Sequence, residues 1–261
     1  MIQAIFTDVD NTLTSGVTRK IPPSALEAIA TARKNGVLVF AATGRHTRTR
    51  EEGAILDGIE LDGYVAINGQ LCYLTDGTVI HKEILDPGDV AIFARFARER
   101  DIAFSVTEID RVSLNKVDDA VLAFHEGIQI PLYPMDPMED LVSRELYAIG
   151  PYFVGEAGEA ELRALLPHSA LVRFNPYNFD IIPRVGGKDV GMLKMLEHFQ
   201  IPREACMALG DGENDIAMLR VAGVGVAMGG SAPAVREAAD FLAPAPDEDG
   251  VWKTFRRYGI I

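Results

Sequence analysis

Acidic side chains are concentrated in two short loops, each of which follows an apolar stretch. The first loop is Asp8-Val9-Asp10-Asn11-Thr12, directly after residues 2–7, and the second is Gly210-Asp211-Gly212-Glu213-Asn214-Asp215, directly after residues 207–209. If both stretches are parallel strands of one sheet, the loops meet at its carboxyl edge, where ligands bind. Repulsion among the carboxylates would raise their pKa values, and a hard cation such as Mg²⁺ would relieve it.

Two further polar groups supply positive charge to the same edge. Thr43-Gly44-Arg45 follows the apolar residues 37–42 and is predicted to open a helix, and Lys188 opens another helix after Gly186-Gly187. A lysine and a helix N-terminus both attract phosphate groups. The chain has 38 acidic and 25 basic residues and a formal charge of -13. An anionic substrate would therefore need such local positive charge.

Each of these groups also has an ordinary structural interpretation. An Asp-x-Asp pair is usually a turn or a helix cap, and Thr43-Gly44 could be an ordinary strand-to-helix turn. Lys188 could be a solvated helix residue, and Gly210-Asp211-Gly212 could be a tight turn. Four such groups in order, at the ends of four predicted elements, favour a functional site.

Other motifs fail on spacing. A calcium loop that started at Asp8 would need glutamate at Arg19, and a phosphate-binding loop that ended at Lys188 would need glycine at Ile182. A dinucleotide fingerprint from Gly210 would need glycine at Asp215.

The order of strands and helices predicts an α/β fold, with a Rossmann-like parallel sheet core and helices on both faces. A capped amphipathic helix is predicted from about residue 23 to residue 35, and strands at residues 2–7, 37–42 and 63–67. Residues 82–183 change character and are predicted to form an inserted α+β domain. The catalytic core would then comprise residues 1–81 and 184–261.

The ordered set of Asp8-Val9-Asp10-Asn11-Thr12, Thr43-Gly44-Arg45, Lys188 and Gly210-Asp211-Gly212-x-Asn214-Asp215 resembles the haloacid dehalogenase superfamily of phosphatases. The long insertion, with Asn68-Gly69 and Gly187-Lys188-Asp189-Val190-Gly191, is similar to the Cof-type sugar-phosphate phosphatase branch, which has an α/β cap. Asn11 departs from the glycine that is common in the family, but asparagine also tolerates a left-handed backbone.

The resemblance implies a two-step phosphoryl transfer. Asp8 would attack phosphorus and form an aspartyl-phosphate, and Asp10 would act as general acid and then as general base. Mg²⁺ would be held by the Asp8 carboxylate, the Asp10 backbone carbonyl and Asp211, with Asp215 nearby. The residues implied to bind the phosphate are Thr43, Gly44, Arg45, Lys188 and Asn214.

The expected substrate is a small phosphorylated metabolite such as a sugar phosphate. Arg173, Asn175, Asn178 and Asp180 in the insertion could contact a sugar hydroxyl, or could be ordinary surface residues. A phosphomutase and a catalytically silent ligand-binding protein are the alternative functions. The sequence leaves the oligomeric state open.

The remaining features argue against other classes of protein. The net negative charge disfavours binding to nucleic acids and to anionic membranes. A signal peptide and a membrane span are both lacking, which predicts a cytoplasmic protein. Cys72 and Cys206 are expected to be buried thiols, without a disulfide or a zinc site. The five histidines show no metal-ligand spacing and are expected at surfaces or caps.

Overall fold

The computed structural model describes residues 1–128, 130–152, 154–173 and 179–261. The chain folds into two compact units: Met1–Lys82 with Gly186–Ile261, and Glu83–Val185. The insertion therefore starts one residue and ends two residues later than the sequence predicts.

Thirteen strands are found in the described residues. They are β1 (Ala4–Thr7), β2 (Leu38–Ala42), β3 (Gly63–Ala66), β4 (Leu71–Leu74), β5 (Val79–Lys82), β6 (Phe104–Thr107), β7 (Val112–Leu114), β8 (Ala148–Pro151), β9 (Ser169–Arg173), β10 (Phe179–Pro183), β11 (Cys206–Gly210), β12 (Val224–Ala227) and β13 (Phe241–Leu242).

The same part of the chain forms nine α-helices. They are α1 (Pro23–Lys34), α2 (Arg50–Gly53), α3 (Pro87–Glu99), α4 (Asp119–Ile128), α5 (Gly155–Leu165), α6 (Lys188–Phe199), α7 (Ile216–Val221), α8 (Pro233–Glu237) and α9 (Gly250–Arg257). Short 3-10 turns lie at Ala54–Leu56, Ile67–Gly69, Leu141–Ser143, Arg203–Ala205, Glu213–Asp215 and Pro246–Glu248.

The first unit is built on a sheet with the strand order β13-β12-β11-β1-β2-β3-β4-β5. The strands from β13 to β3 are parallel, which agrees with the predicted α/β fold. β1 lies in the middle of the sheet, where Thr7 pairs with Leu209 of β11 on one side and with Ala41 of β2 on the other. The loops after β1, β2 and β11 therefore leave the sheet at the same edge.

Side chains of the central strands alternate between two cores, one on each face of the sheet. Ile5 packs in the core that contains Ile29 of α1 and Phe255 of α9. Phe6 packs in the opposite core with Phe40 and with Met192 of α6, and the two phenylalanine rings stack 4.8 Å apart between centroids. Burial on both faces explains why these strands are apolar throughout.

The parallel sheet is extended by an antiparallel hairpin that the sequence pattern did not predict. β4 pairs antiparallel with β3, and β5 pairs antiparallel with β4. The turn between β4 and β5 contains Asp76-Gly77, and Gly77 has φ of +89°. An Asp-Gly pair between alternating strands is a common signal for a hairpin turn.

The second unit contains a five-stranded antiparallel sheet with the order β7-β6-β8-β10-β9. One of its cores joins Phe93 and Phe96 of α3 to Val106, Ile149 and Ile181 of the sheet. A smaller core joins α4 to the sheet, with Phe124 and Val121 beside Leu114 and Tyr152. Helices and an antiparallel sheet agree with the α+β character predicted for the insertion.

Two local predictions are wrong. No helix opens at Thr43-Gly44-Arg45, because the chain forms turns until α2 begins at Arg50. His46 is buried, with 3% exposure, so it does not lie at the surface; His125 is equally buried but lies in the last turn of α4.

Both cysteines are buried and free, as predicted. In the part of the chain that the structure describes, no helix has the length and the apolar character needed to cross a bilayer.

Candidate active site

The nucleophile candidate Asp8 lies at the carboxyl end of the central strand. Its backbone N–H donates to the carbonyl oxygen of Leu209 at 2.9 Å, which continues the pairing of β1 with β11. The chain then turns tightly, because the N–H groups of Leu13 and Thr14 both donate to the carbonyl oxygen of Val9. Asn11 lies in this turn with φ of +56°, so asparagine takes the left-handed conformation expected of it.

Three carboxylates converge at this edge of the sheet. Asp8, Asp211 and Asp215 each offer an oxygen atom, and these atoms all lie within 4.8 Å of one another. Asp8 and Asp215 are buried, whereas Asp211 is partly exposed. The neighbouring parallel strands β1 and β11 bring the two acidic loops together, because they end side by side.

Lys188 joins two of these carboxylates. Its Nζ donates to Oδ1 of Asp8 at 2.6 Å and to Oδ1 of Asp215 at 2.7 Å, and its side chain is fully buried. Lys188 is the first residue of α6, as the sequence predicts. A close approach between the preceding Gly187 and Gly69 helps to place it: a Cβ on Gly69 would lie 2.0 Å from the carbonyl oxygen of Gly187.

Asp215 also organises its own loop. Its Oδ2 accepts the backbone N–H groups of Asp211 and Gly212, each at 3.0 Å. Because Oδ1 accepts from Lys188, the buried carboxylate has a partner on both oxygens. Asp215 therefore supports the loop that presents Asp211, and Thr12 donates a further hydrogen bond to Asp211 at 3.3 Å.

The electrostatics of the cluster are dominated by burial. Burial raises the pKa of Asp8 to about 7, with the carboxylates of Asp215 and Asp211 adding to the rise and Lys188 opposing it. Burial and the nearby Asp215 carboxylate raise the pKa of Asp211 as well. Burial alone would lower the pKa of Lys188, but Asp8 and Asp215 outweigh it, so that pKa is raised.

One ammonium group thus faces three carboxylates that offer only oxygen ligands. This donor set fits a hard divalent cation such as Mg²⁺, because the cation would favour the ionised carboxylates that burial disfavours.

The segment after β2 is held by hydrogen bonds and not by a helix. The N–H of Thr43 donates to the carbonyl oxygen of Val65, and the Thr43 carbonyl accepts from the N–H of Asn68 at 3.0 Å. The Thr43 hydroxyl accepts the backbone N–H of Arg45 at 3.1 Å. Gly44 is exposed, and a Cβ there would lie 3.2 Å from the Asn68 side chain.

Arg45 contacts Asp10, a pairing that the sequence does not predict. Nε of Arg45 donates to Oδ2 of Asp10 and Nη2 donates to Oδ1, both at 2.7 Å. The hydrogen bonds that Arg45 donates to the Asp10 carboxylate raise the pKa of Arg45.

Asn68 and Thr12 are polar residues of the site to which the sequence pattern assigned no role. Nδ2 of Asn214 donates to Oδ1 of Asn68 at 2.9 Å. Asn68 has φ of +52° and lies two residues after the end of β3. A polar residue close to the end of a third parallel strand was therefore the signal for it. Thr12 lies in the predicted acidic loop and contacts Asp211.

The polar residues suggested in the insertion are only partly described. Arg173 pairs with Glu159, with Nη2 at 2.5 Å from Oε2, and Asp180 lies on β10 opposite Val172. Asn175 and Asn178 lie outside the described residues.

Comparisons with known proteins agree with this fold. The family model for haloacid dehalogenase-like hydrolases matches residues 5–255. The chain belongs to this family.

A solved structure of BT1666 from Bacteroides thetaiotaomicron, described among phosphatases of the haloalkanoate enzyme superfamily, is 30% identical with a TM-score of 0.88; the match covers 100% of this chain and 96% of that one. BT4131, described as a subclass IIB sugar phosphatase, is 32% identical with a TM-score of 0.82 and 99% and 100% coverage. YcsE of Bacillus subtilis (strain 168), named 5-amino-6-(5-phospho-D-ribitylamino)uracil phosphatase, is 25% identical over 258 residues, with 98% and 96% coverage. The protein is a phosphatase of the haloacid dehalogenase-like family.

Proposed function

We propose that the protein is a Mg²⁺-dependent phosphatase that hydrolyses sugar phosphates through an aspartyl-phosphate on Asp8. The observation that carries the proposal is the buried cluster in which Lys188 joins Asp8 to Asp215 beside Asp211. A carboxylate of this kind can attack phosphorus, because the neighbouring lysine neutralises charge on the incoming phosphate.

The reaction takes place in two steps. In the first, an oxygen of Asp8 forms a bond to phosphorus as the bond to the leaving oxygen breaks, and Asp10 gives a proton to that oxygen. In the second, water forms a bond to phosphorus, the bond to Asp8 breaks, and Asp10 takes a proton from the water. Asp8 and Asp10 are restored, and the products are an alcohol and inorganic phosphate.

The metal would be held by the carboxylates of Asp8 and Asp211 and by the backbone carbonyl of Asp10. When bound, Mg²⁺ neutralises charge on the phosphate and on the attacking carboxylate. One carboxylate oxygen of Asp215 accepts from Lys188 and the other accepts from the loop backbone. The role of Asp215 is therefore to position Lys188 and Asp211.

The phosphate oxygens would be bound by Thr43, the backbone at Gly44, Lys188 and Asn214. Thr43 and Gly44 follow β2, Lys188 is the first residue of α6, and Asn214 follows β11. All four residues belong to the first unit. Met1–Lys82 with Gly186–Ile261 would thus be the catalytic core. The unit Glu83–Val185 would be the cap that selects the part of the substrate beyond the phosphate.

A sugar phosphate is proposed because the similar protein BT4131 is described as a sugar phosphatase. YcsE is named for a substrate with a phosphorylated ribityl chain, which is also a polyol phosphate.

The test is a panel of sugar phosphates with purified protein and Mg²⁺, in which inorganic phosphate is measured. Asp8→Asn should reduce turnover by about three orders of magnitude or more, because it removes the nucleophile. Asp57→Asn, which changes an exposed aspartate of the same unit, is the matched control and should keep full activity. Substantial turnover by Asp8→Asn would overturn the proposal, and a sugar phosphate isomer as the main product would instead indicate a phosphomutase.

A further inference from the structure

The contact between Arg45 and Asp10 has the geometry of a planar fork. Two different nitrogen atoms of one guanidinium group reach two different oxygen atoms of one carboxylate, both at 2.7 Å. A bidentate pair of this kind fixes the plane of the carboxylate as well as its position.

Arg45 is itself held in place by its backbone. Its N–H donates to the Thr43 hydroxyl at 3.1 Å, and its carbonyl accepts the N–H of Ile67 at 3.1 Å. The next residue is also anchored, because the N–H of His46 donates to Oε2 of Glu52 at 2.7 Å. The backbone that carries the Arg45 side chain is therefore anchored to the turn after β3.

Burial alone does not fix the Asp10 side chain in one position. Its side chain is 50% exposed, whereas that of Asp8 is only 8% exposed. An aspartate this open can occupy several rotamers, and a proton-transfer group must be held within hydrogen-bond reach of the reacting oxygen.

We propose that Arg45 is a positioning residue, which orients the Asp10 carboxylate to take the proton from water in the second step, and that it is not a ligand of the substrate phosphate. The inference rests on the proposed function. It differs from the phosphate-binding role that the sequence suggests for Arg45, because both donor groups observed in contact face Asp10.

The two roles for Arg45 can be separated by kinetics with p-nitrophenyl phosphate, whose leaving group needs little help from an acid, and with the best sugar phosphate of the panel. Arg45→Gln should lower kcat about 10- to 100-fold with both substrates. A loss of this size is part of the effect of general acid–base catalysis. A burst of nitrophenol should persist, since attack by Asp8 does not depend on Asp10 with this substrate. The competitive Ki of inorganic phosphate should stay within about threefold of wild type, whereas loss of a phosphate ligand would raise it more than about tenfold.

A double-mutant cycle provides the second readout. If Arg45 acts through Asp10, adding Arg45→Gln to Asp10→Asn should change kcat by less than about twofold, because coupled residues are not additive. Independent, multiplicative effects would overturn the inference, as would wild-type kcat in Arg45→Gln.

The matched control is Arg48→Gln, which removes the same charge from the same segment. Arg48 lies over the ring of Tyr73 at 5.2 Å from its centroid, and the variant should keep wild-type kinetics. Circular dichroism checks the fold of each variant. If Arg45→Gln does not fold, Arg45→Lys is the variant to measure. Lysine keeps the positive charge but cannot form the bidentate contact, so kcat should still fall at least about fivefold.

Failure of this inference is distinguishable from failure of the proposed function. If wild type is active and Asp8→Asn is inactive, the proposed function stands whatever Arg45→Gln shows. Lack of turnover by wild type across the panel would overturn both.

Discussion

Asp215 accepts from Nζ of Lys188 with one carboxylate oxygen, at 2.7 Å, and uses the other oxygen for two backbone N–H groups of its own loop. A single buried carboxylate thus connects the start of α6 to the loop after β11. The lysine that it holds also contacts Asp8, which lies 180 positions away in the sequence.

Removal of the lysine should destabilise the metal-free protein. Lys188→Met leaves Asp8 and Asp215 buried without their ammonium partner, and the free energy of unfolding should fall by about 3–5 kcal/mol. Urea unfolding measures the loss, and Mg²⁺ should restore part of it. Lys194→Met on the same helix is the control, because Lys194 is 48% exposed and its loss should cost no more than about 0.5 kcal/mol. Equal stability of the two variants would contradict the structural role given to Lys188.

Asp211 and Asp215 should behave differently when each is changed to asparagine. Asp215→Asn replaces one acceptor oxygen of a buried group by an NH2 donor, which would face either the Lys188 ammonium or the two backbone N–H groups, so it should cost about 3 kcal/mol of stability. Asp211→Asn changes a partly exposed side chain and should cost less than about 1 kcal/mol, but should weaken Mg²⁺ binding at least about tenfold. Urea unfolding and calorimetric titration with Mg²⁺ separate the two effects. Unchanged Mg²⁺ affinity in Asp211→Asn would remove that residue from the proposed metal site.

Chelation should abolish turnover and Mg²⁺ should restore it, because the carboxylates of Asp8 and Asp211 offer only oxygen ligands for a hard cation. The measurement is phosphate release before and after treatment with a chelator. Full activity of the chelated protein would show that the reaction needs no metal.

Asp10→Asn should slow the second step more than the first when the leaving group is activated. Attack by Asp8 on p-nitrophenyl phosphate persists, but hydrolysis of the aspartyl-phosphate loses its general base and should slow by about 10²–10⁴-fold. Phosphoenzyme should then accumulate and be detected by rapid quenching and mass spectrometry. Slow turnover without a trapped phosphoenzyme would argue against Asp10 as the hydrolytic base.

Gly69 should be far less tolerant of alanine than Gly77, although both have φ close to +90°. A Cβ at Gly77 meets nothing within 4 Å, so Gly77→Ala carries only the backbone strain of about 1–2 kcal/mol. A Cβ at Gly69 would lie 2.0 Å from the Gly187 carbonyl oxygen and 3.2 Å from the Lys188 nitrogen. Gly69→Ala should therefore cost at least about 2 kcal/mol more than Gly77→Ala and should also reduce turnover. Similar unfolding curves for the two variants would show that the close approach to Lys188 has no energetic consequence.

Much of the site could be predicted from local sequence. Asp8 and Asp211 each follow a short run of buried residues, and Lys188 directly precedes a helical pattern, so strand ends and a helix start were recognisable from apolar patterning alone. Patterning succeeds here because the central strands are buried on both faces and are therefore apolar without interruption.

The hydrogen-bond partners within the site were decided by the tertiary structure. Arg45 could have faced a phosphate or a carboxylate, and nothing in Thr43-Gly44-Arg45 selects Asp10. The helix predicted there does not form, because the N–H of Thr43 and the carbonyl of Arg45 bond to the chain around β3 instead. Likewise, Lys188 could reach Asp8 and Asp215 only after β1, β11 and α6 had assembled. Local propensity is determined by neighbours in the chain, whereas the partners of a charged side chain depend on which groups the packed elements bring within about 3 Å.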